Sequence, residues 1–259
     1  MPHDETLKNL IADGRKIALK AEVGDEDLGP FAQLPGTWAN EPELPGAGFN
    51  MISLPFAPED GALDYRLLVN RYNETLEFDL VDKAVANRGI ERGDSLTETD
   101  QFVVTLDYMQ SVVQVAAADF PESGLAGESG LGIHREPGLW LHMKNHCIDG
   151  MDIARLSTVP HGDSVLALGT SRVIDGPPGI PAVDALVQGA TTDLEHPYMS
   201  PYKHFHDNPF EGQLQDEQGR PKMRLQYLQI VGLDFFPRKD GKEGLMIWPH
   251  ISLNTLVRQ

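Results

Sequence analysis

The sequence predicts a mostly β protein whose strands form an antiparallel, up-and-down β-barrel. Many short segments are rich in Val, Ile, Leu, Thr and Tyr, and Pro or Gly stands between them. No helical pattern of apolar residues separates successive segments, which favours antiparallel connections over parallel βαβ units. Long strands in an open sheet would leave exposed edges, and closure into a barrel removes them.

The chain begins with a predicted helix over residues 4–21. Asp4 can cap it, and its apolar residues lie close to one stripe: Leu7, Leu10, Ile11, Ala18 and Leu19. The acidic segment 24–27 then interrupts the helical pattern. We therefore predict an N-terminal helix and acidic linker over residues 1–30, followed by one β-barrel domain over residues 31–259.

The strand signal starts after Phe31. We predict strands at Gly36–Asn40, Gly48–Leu54, Tyr65–Asn70, Glu74–Val81, Phe102–Ala116, Gly132–Arg135, Leu139–Lys144, Ile153–Thr158, Val165–Val173, Lys222–Phe235 and Leu245–Val257. Glu136-Pro137-Gly138 predicts a tight hairpin or a kink between two of them, and residues 160–163 predict a turn.

Residues 174–221 interrupt this succession of strands. They are dense in Pro, Gly and Asp, and only residues 181–188 are compatible with a short helix. A long irregular segment in a compact domain is often functional. We predict an irregular insertion whose aromatic side chains pack on the barrel.

The charge balance narrows the range of partners. The chain of 259 residues has 39 acidic against 21 basic residues, a formal charge of −18, with 41% apolar residues to build a core. A field of this sign repels the phosphates of nucleic acids and of anionic membranes. We therefore expect a small-molecule ligand, and neither nucleic acid nor membrane; the oligomeric state is left open.

The cysteine content and the N-terminus indicate the compartment. Cys147 is the one cysteine, so no internal disulfide can form. The first residues are acidic and lack the basic and apolar segments of a secretory signal. A cytoplasmic location is expected.

Gly36-Thr37-Trp38 opens the β region. A Gly-x-Trp on the first strand resembles the calycin superfamily, which includes lipocalins and fatty-acid-binding proteins. In that superfamily the Trp closes one end of the barrel and an Arg from a late strand packs over it. The resemblance implies this barrel-closure role for Trp38 and Arg258, because an indole face attracts a guanidinium.

Two further segments resemble one branch of that superfamily. His134-Arg135-Glu136-Pro137-Gly138 is similar to the His-x-Glu-x-Gly segment of nitrobindins, which are heme-binding barrels, and Pro249-His250 matches their Pro-His pair. The resemblance implies heme as cofactor and His250 as its axial ligand. His134 and Trp140 complete the candidate cofactor-binding set.

The resemblance has departures that leave other ligands open. Asn40-Glu41-Pro42 stands where nitrobindins have glycines after the Trp, and the insertion at 174–221 has no counterpart. A barrel that carries an apolar or amphipathic small molecule without metal is the first alternative.

Strand parity gives two answers for the last strand. Residues of equal parity share a face, so His250 faces inward if Arg258 does. The odd-numbered face, with Leu245, Ile247, Ile251, Leu253 and Val257, is the more apolar, so hydrophobicity places that face inside instead. Cover on the outside of the strand, or a bulge at Pro249, would reconcile the two.

Two more histidine sets are candidates for chemistry. His204 and His206 form a His-x-His pair that is able to bind a divalent metal, which makes a metal-dependent enzyme the second alternative. His142 and His146 share parity with Trp140 and either line a cavity or face solvent. The sequence contains no nucleophile elbow and no phosphate-binding loop. A binding protein is therefore favoured over an enzyme.

Overall fold

A computed structural model of the protein describes residues 23–40, 48–55, 65–120, 122–147, 149–160, 162–175, 186–189 and 223–259. Within them a short 3-10 helix, Glu26–Phe31, precedes the strands. The strands are β1 (Gly36–Ala39), β2 (Gly48–Pro55), β3 (Tyr65–Asn87), β4 (Ile90–Arg92), β5 (Leu96–Glu98), β6 (Gln101–Phe120), β7 (Gly132–Met143), β8 (Ile153–Thr158), β9 (Ser164–Gly169), β10 (Arg224–Pro237) and β11 (Leu245–Arg258).

The prediction of a mostly β, antiparallel fold is confirmed. Every strand pairing whose register is described is antiparallel. The predicted turn at 160–163 is present, because the amide of Val159 donates to the carbonyl of Asp163 and Gly162 takes a φ of 95°. The predicted helix at 4–21, most of the insertion at 174–221, and both His204 and His206 lie outside the described residues.

The hairpin predicted at Glu136-Pro137-Gly138 is wrong, because β7 runs through it without a break. Gly138 is required there for a packing reason. A Cβ at this position would lie 2.2 Å from the carbonyl oxygen of Leu156 and 2.5 Å from Cε1 of Tyr108. The Pro-Gly pair therefore marks a close approach of β6 and β8 to β7.

Two of the predicted strands form a single continuous strand in the structure. Residues 65–70 and 74–81 were separated by Arg71, Tyr72 and Asn73, but β3 continues through them. Tyr72 is buried and pairs with Gly48, whose missing side chain leaves room for the phenol ring. The short arm of β4 and β5, which pair with each other, had no sequence signal.

The chain divides into two compact units. The first contains residues up to Thr37, Leu76–Gln110 and Arg135–Val173, and the second contains Trp38–Thr75, Ser111–His134 and Ile174–Gln259. Hydrogen-bonded neighbours in the main sheet follow the order β1-β11-β2-β3-β6-β7-β8-β9, with further pairings of β10 to β11 and of β1 to β3.

In the first unit, β3 and β6 contribute buried apolar residues at even-numbered positions. They include Leu76, Phe78, Leu80, Val104, Leu106 and Tyr108. On β7 and β8, Trp140 stands opposite Arg155 and Gly138 opposite Ser157. Because paired residues share a face of the sheet, a basic side chain stands beside an aromatic one.

In the second unit, β11 is flanked on both edges. Val257 pairs with Ala39 on β1 and with Arg224 on β10, and Ile251 pairs with Met51 on β2 and with Ile230 on β10. A residue with two partners has one on each edge. β1 and β2 therefore lie along the same edge of β11, opposite β10.

Both faces of β11 are covered, which resolves the conflict between parity and hydrophobicity. Met246, Trp248, Asn254 and Leu256 are buried on the even face, and Ile251 and Val257 on the odd face. One apolar cluster contains Val187 together with Met51 and Ile251, and Gln188 pairs with Ile247. Described residues of the predicted insertion thus pack on this unit. None of the described helical segments has the length and apolar character needed to cross a membrane.

Candidate functional site

Trp38 and Arg258 lie together. They are backbone partners across β1 and β11, and the guanidinium carbon of Arg258 lies 4.5 Å from the ring centre of Trp38. Trp38 is buried, and desolvation lowers the pKa of Arg258. This geometry suits a cation–π contact on the even-numbered face of β11.

The same face carries a row of hydrogen-bonding side chains. Asn50 on β2 stands opposite Asn70 on β3 and opposite Ser252 on β11. His250 lies on β11 at the parity of Ser252 and Arg258. We call the sheet face defined by Asn50, Asn70, His250 and Ser252 the asparagine face.

His250 is held by Asn50. The Nδ2 atom of Asn50 lies 2.6 Å from Nε2 of His250 and donates to Oγ of Ser252 over 3.1 Å. Because Asn50 donates here, Nε2 of His250 is the acceptor, and the ring proton sits on Nδ1. Hydrogen bonding thus fixes the tautomer of this histidine and engages one of its ring nitrogens.

Asn70 is the unusual member of the row. Its side chain is 4% exposed, and its Oδ1 atom has no hydrogen-bond partner among the described residues. A buried amide oxygen without a donor costs about 1–3 kcal/mol of stability. Such groups are rare in folded proteins and mark places where a ligand or an ordered water completes the structure.

An apolar row borders the polar one. Two residues further along β2 from Asn50, Ile52 stands opposite Leu68 on β3. On the neighbouring strands, His250 on β11 stands opposite Val231 on β10. Beyond them Trp248, opposite Leu233, stacks on Phe235 with ring centres 5.2 Å apart. The asparagine face therefore changes from polar to apolar within one or two residues.

On the other side of the polar row lies a buried carboxylate. Glu74 is 2% exposed, and its Oε2 accepts hydrogen bonds from Tyr227 Oη at 2.5 Å and from Asn254 Nδ2 at 2.7 Å. Asn40 holds Asn254 and also accepts from the amide of Glu74. Desolvation, together with the charge of Glu74, raises the pKa values of Tyr72 and Tyr227.

The first unit holds a separate polar cluster of Tyr108, Glu136 and Arg155. Tyr108 donates to Glu136, and Nη2 of Arg155 lies 2.5 Å from the same carboxylate oxygen. The guanidinium also lies 5.2 Å from the ring centre of Tyr108 and 5.9 Å from that of Trp140. Desolvation and the bond to Glu136 raise the pKa of Tyr108 to about 12.

The arginine of this cluster stays charged. Burial opposes its charge, but the interactions with Tyr108 and Glu136 outweigh it and raise the pKa of Arg155. The cluster is therefore a compensated ion pair with a phenol, which is common in structural networks as well as in sites.

Of the other candidate residues, Trp140 belongs to this cluster and also contacts Phe31 edge-to-face. His134 lies half-buried on β7. His142 shares the face of Trp140, with Nδ1 3.2 Å from the carbonyl oxygen of Asp152. His146 lies beyond the end of β7 with a φ of 50°, so the shared face expected for it is wrong.

The described residues contain no group of three or more His, Cys, Asp or Glu side chains arranged to hold a metal ion. Comparison of the chain with protein-family models, with curated proteins and with solved structures gave no match.

Asn50, Asn70 and Glu74 are not among the site residues predicted from the sequence. A signal existed, because Asn70, Tyr72 and Glu74 continue the parity of the buried Leu76, Phe78 and Leu80 on the same strand. Polar residues at buried parity positions point to a hydrogen-bonded interior. The predicted break between strands at residues 71–73 obscures this pattern, because β3 continues through those residues.

Proposed function

We propose that this protein is a small-molecule-binding β-barrel protein whose ligand lies against the asparagine face and needs no metal. The observation that carries this proposal is the buried Oδ1 of Asn70, which has no hydrogen-bond partner in the described part of the chain. A ligand group that donates to this oxygen removes the cost of burying it.

The pairing order supports closure into a barrel of the calycin kind. Along the chain, β2 pairs with β3, β3 with β6, β6 with β7, β7 with β8, β8 with β9 and β10 with β11, and the last strand also pairs with the first. Among the described consecutive strands of the main sheet, two pairs have no described pairing, β1 with β2 and β9 with β10. An up-and-down barrel differs from this order at those two joints.

The composition of the asparagine face favours an amphipathic ligand. The row of Asn50, Asn70 and Ser252 supplies hydrogen bonds, and the adjoining Ile52 and Leu68 supply apolar contact. Binding sites for small molecules combine a few oriented polar groups with mostly apolar walls.

The first experiment replaces Asn70 with leucine. If a ligand normally satisfies Oδ1, Asn70→Leu raises the free energy of unfolding of the ligand-free protein by about 1–3 kcal/mol, because it removes an unpaired buried amide. Urea denaturation measures this change. Thr75→Val, a polar-to-apolar change on the other face of β3, is the matched control and leaves stability within about 0.5 kcal/mol.

Ligand capture is tested on the same variants. Protein purified under native conditions is denatured, and the released small molecules are identified by mass spectrometry. Wild type and Thr75→Val release a molecule at stoichiometric yield, and Asn70→Leu does not. A destabilised Asn70→Leu together with unchanged small-molecule content would sink the proposal.

Heme is the second candidate, and the position of His250 favours it. His250 shares a sheet face with Arg258, which covers Trp38, as the resemblance to nitrobindins implies. The fit is incomplete, because Nε2 of His250 already accepts a hydrogen bond from Asn50. Axial ligation through Nε2 requires the loss of that bond.

Hemin titration separates the two candidates. If heme is the ligand, a Soret shift appears, His250→Ala abolishes it, and Asn50→Leu strengthens binding because it releases Nε2. If the ligand is amphipathic and metal-free, hemin produces no histidine-dependent shift, and Asn50→Leu weakens binding of the natural ligand.

A further inference from the structure

The two asparagines also restrict the chemistry of the ligand's polar end. We infer that the asparagine face recognises a headgroup with N–H or O–H donors, an amine or an alcohol, and discriminates against carboxylates. This inference rests on the proposed function, because it specifies the ligand of the same face.

The described hydrogen bonds leave the side-chain oxygens of both asparagines without a donor. The Oδ1 of Asn70 has no donor among the described residues. The hydrogen bonds described for the side chain of Asn50 use Nδ2, which faces His250 and Ser252 on β11. No hydrogen bond is described for Oδ1 of Asn50, and Asn70 is the cross-strand partner of this residue on β3.

One headgroup is able to reach both oxygens. Directly opposite residues in an antiparallel pair have Cβ atoms about 5 Å apart, so their amide oxygens are within reach of a single small group. An ammonium has three N–H donors, and a hydroxyl has one donor together with acceptor lone pairs. Either satisfies Asn70 directly.

A carboxylate headgroup is disfavoured at the asparagine face. It has no donor when ionised, and it would have to leave water beside acceptor oxygens. Glu74 lies on the same face of β3, two positions beyond Tyr72, and its charge already raises the pKa of that tyrosine. The formal charge of −18 adds a field that repels anions and attracts cations.

The apolar side chains next to the asparagines indicate that the ligand has an apolar part next to its polar headgroup. Ile52, Leu68 and Val231 begin one pair away from Asn50 and Asn70. A headgroup bonded to the asparagines therefore has apolar side chains beside it along the strands, to which an apolar chain of the ligand is matched. The ligand class is a neutral or cationic amphiphile.

Three probes of equal chain length test the inference: octylamine, 1-octanol and octanoate. Isothermal titration calorimetry at neutral pH should show octylamine and octanol binding at least tenfold more tightly than octanoate. Asn70→Leu should remove at least tenfold of the affinity for the amine and the alcohol, and Thr75→Val should remove none. Tenfold corresponds to about 1.4 kcal/mol.

Salt distinguishes the two donor headgroups, because only binding of the amine weakens as ionic strength rises. Octanoate binding as tightly as octylamine would overturn the donor inference and leave the proposed binding function intact. Failure of both octylamine and octanol to bind also overturns the inference. The proposed function is then judged separately, by whether the protein releases a co-purified molecule that depends on Asn70.

Discussion

Arg258 and Trp38 are joined twice, through the backbone pairing of β1 with β11 and through the guanidinium that lies 4.5 Å from the indole ring centre. The contact therefore holds the first strand of the sheet to the last. Trp38 is 2% exposed, so the indole has little contact with water, and Arg258 covers part of it. A desolvated cation over an indole is more stabilising than an exposed one.

Replacing Arg258 tests the energy of this contact. Arg258→Ala should lower the free energy of unfolding by about 1 kcal/mol, and Arg258→Lys by less, because the ammonium keeps the charge but lacks the planar group. Urea denaturation gives both values. Arg135→Ala is the control, since that side chain is exposed and no ion pair is described for it. Equal effects of Arg258→Ala and Arg135→Ala would show that the stacking contributes nothing.

The free energy of unfolding should depend strongly on both partners of the ion pair between Glu136 and Arg155. Glu136→Leu leaves a partly buried guanidinium without its carboxylate and should cost about 2–4 kcal/mol, less than a fully buried pair because the side chain of Arg155 is 26% exposed. The double variant Glu136→Leu/Arg155→Met should recover much of this loss. Chemical denaturation of the single and double variants measures the coupling, and strictly additive losses would contradict it.

Gly138 should tolerate no side chain. Gly138→Ala places a Cβ against Leu156 and Tyr108 and should destabilise the fold by about 1–3 kcal/mol through overpacking. Gly132→Ala is a matched control on the same strand, because nothing lies within 4 Å of the added Cβ. Thermal unfolding of both variants decides the matter, and similar melting temperatures would refute the close approach.

Stability should fall at alkaline pH. The folded protein holds the pKa of Tyr108 at about 12, above its ordinary value of 10.0. The neutral phenol thus contributes stability in full below pH 10, and this contribution is lost as the pH rises from 10 to about 12.

Denaturation at a series of pH values measures this loss. Each such tyrosine steepens the fall by up to about 1.4 kcal/mol per pH unit, so Tyr108→Phe should make the curve shallower. The control is the same variant at neutral pH, where the slope should equal that of wild type. If Tyr108→Phe and wild type had the same slope above pH 10, the raised pKa of Tyr108 would be contradicted.

Much of the β pattern could be predicted from the sequence. Ile153–Thr158 was predicted with its observed bounds, and β11 within one residue, because alternation and flanking turn residues are local signals. The incorrect strand predictions lie where a residue typical of a turn is required instead by packing between distant strands. The Pro-Gly pair at 137–138 resembles a turn, but the glycine is there to admit the ring of Tyr108.

The candidate site was predictable only in part. The resemblance of Gly36-Thr37-Trp38 to calycins implies a contact between Trp38 and Arg258, and the structure brings the two side chains together. His250 was named, but its partner Asn50 was not, since nothing local connects residues so distant in the chain. Asn70 looked like the end of a strand, and burial became apparent only when its neighbours on β2 were in place.

The sequence by itself determined that the chain forms antiparallel strands, which residues alternate on each, and that the molecule carries a strongly negative charge. These properties depend on residues close together in the chain. Only the tertiary structure decided that the amide oxygen of Asn70 is buried without a donor among the described residues and that Trp38 on β1 pairs with Arg258 at the end of β11. Both depend on register between distant strands, because a shift of one residue would turn every one of these side chains to the opposite face.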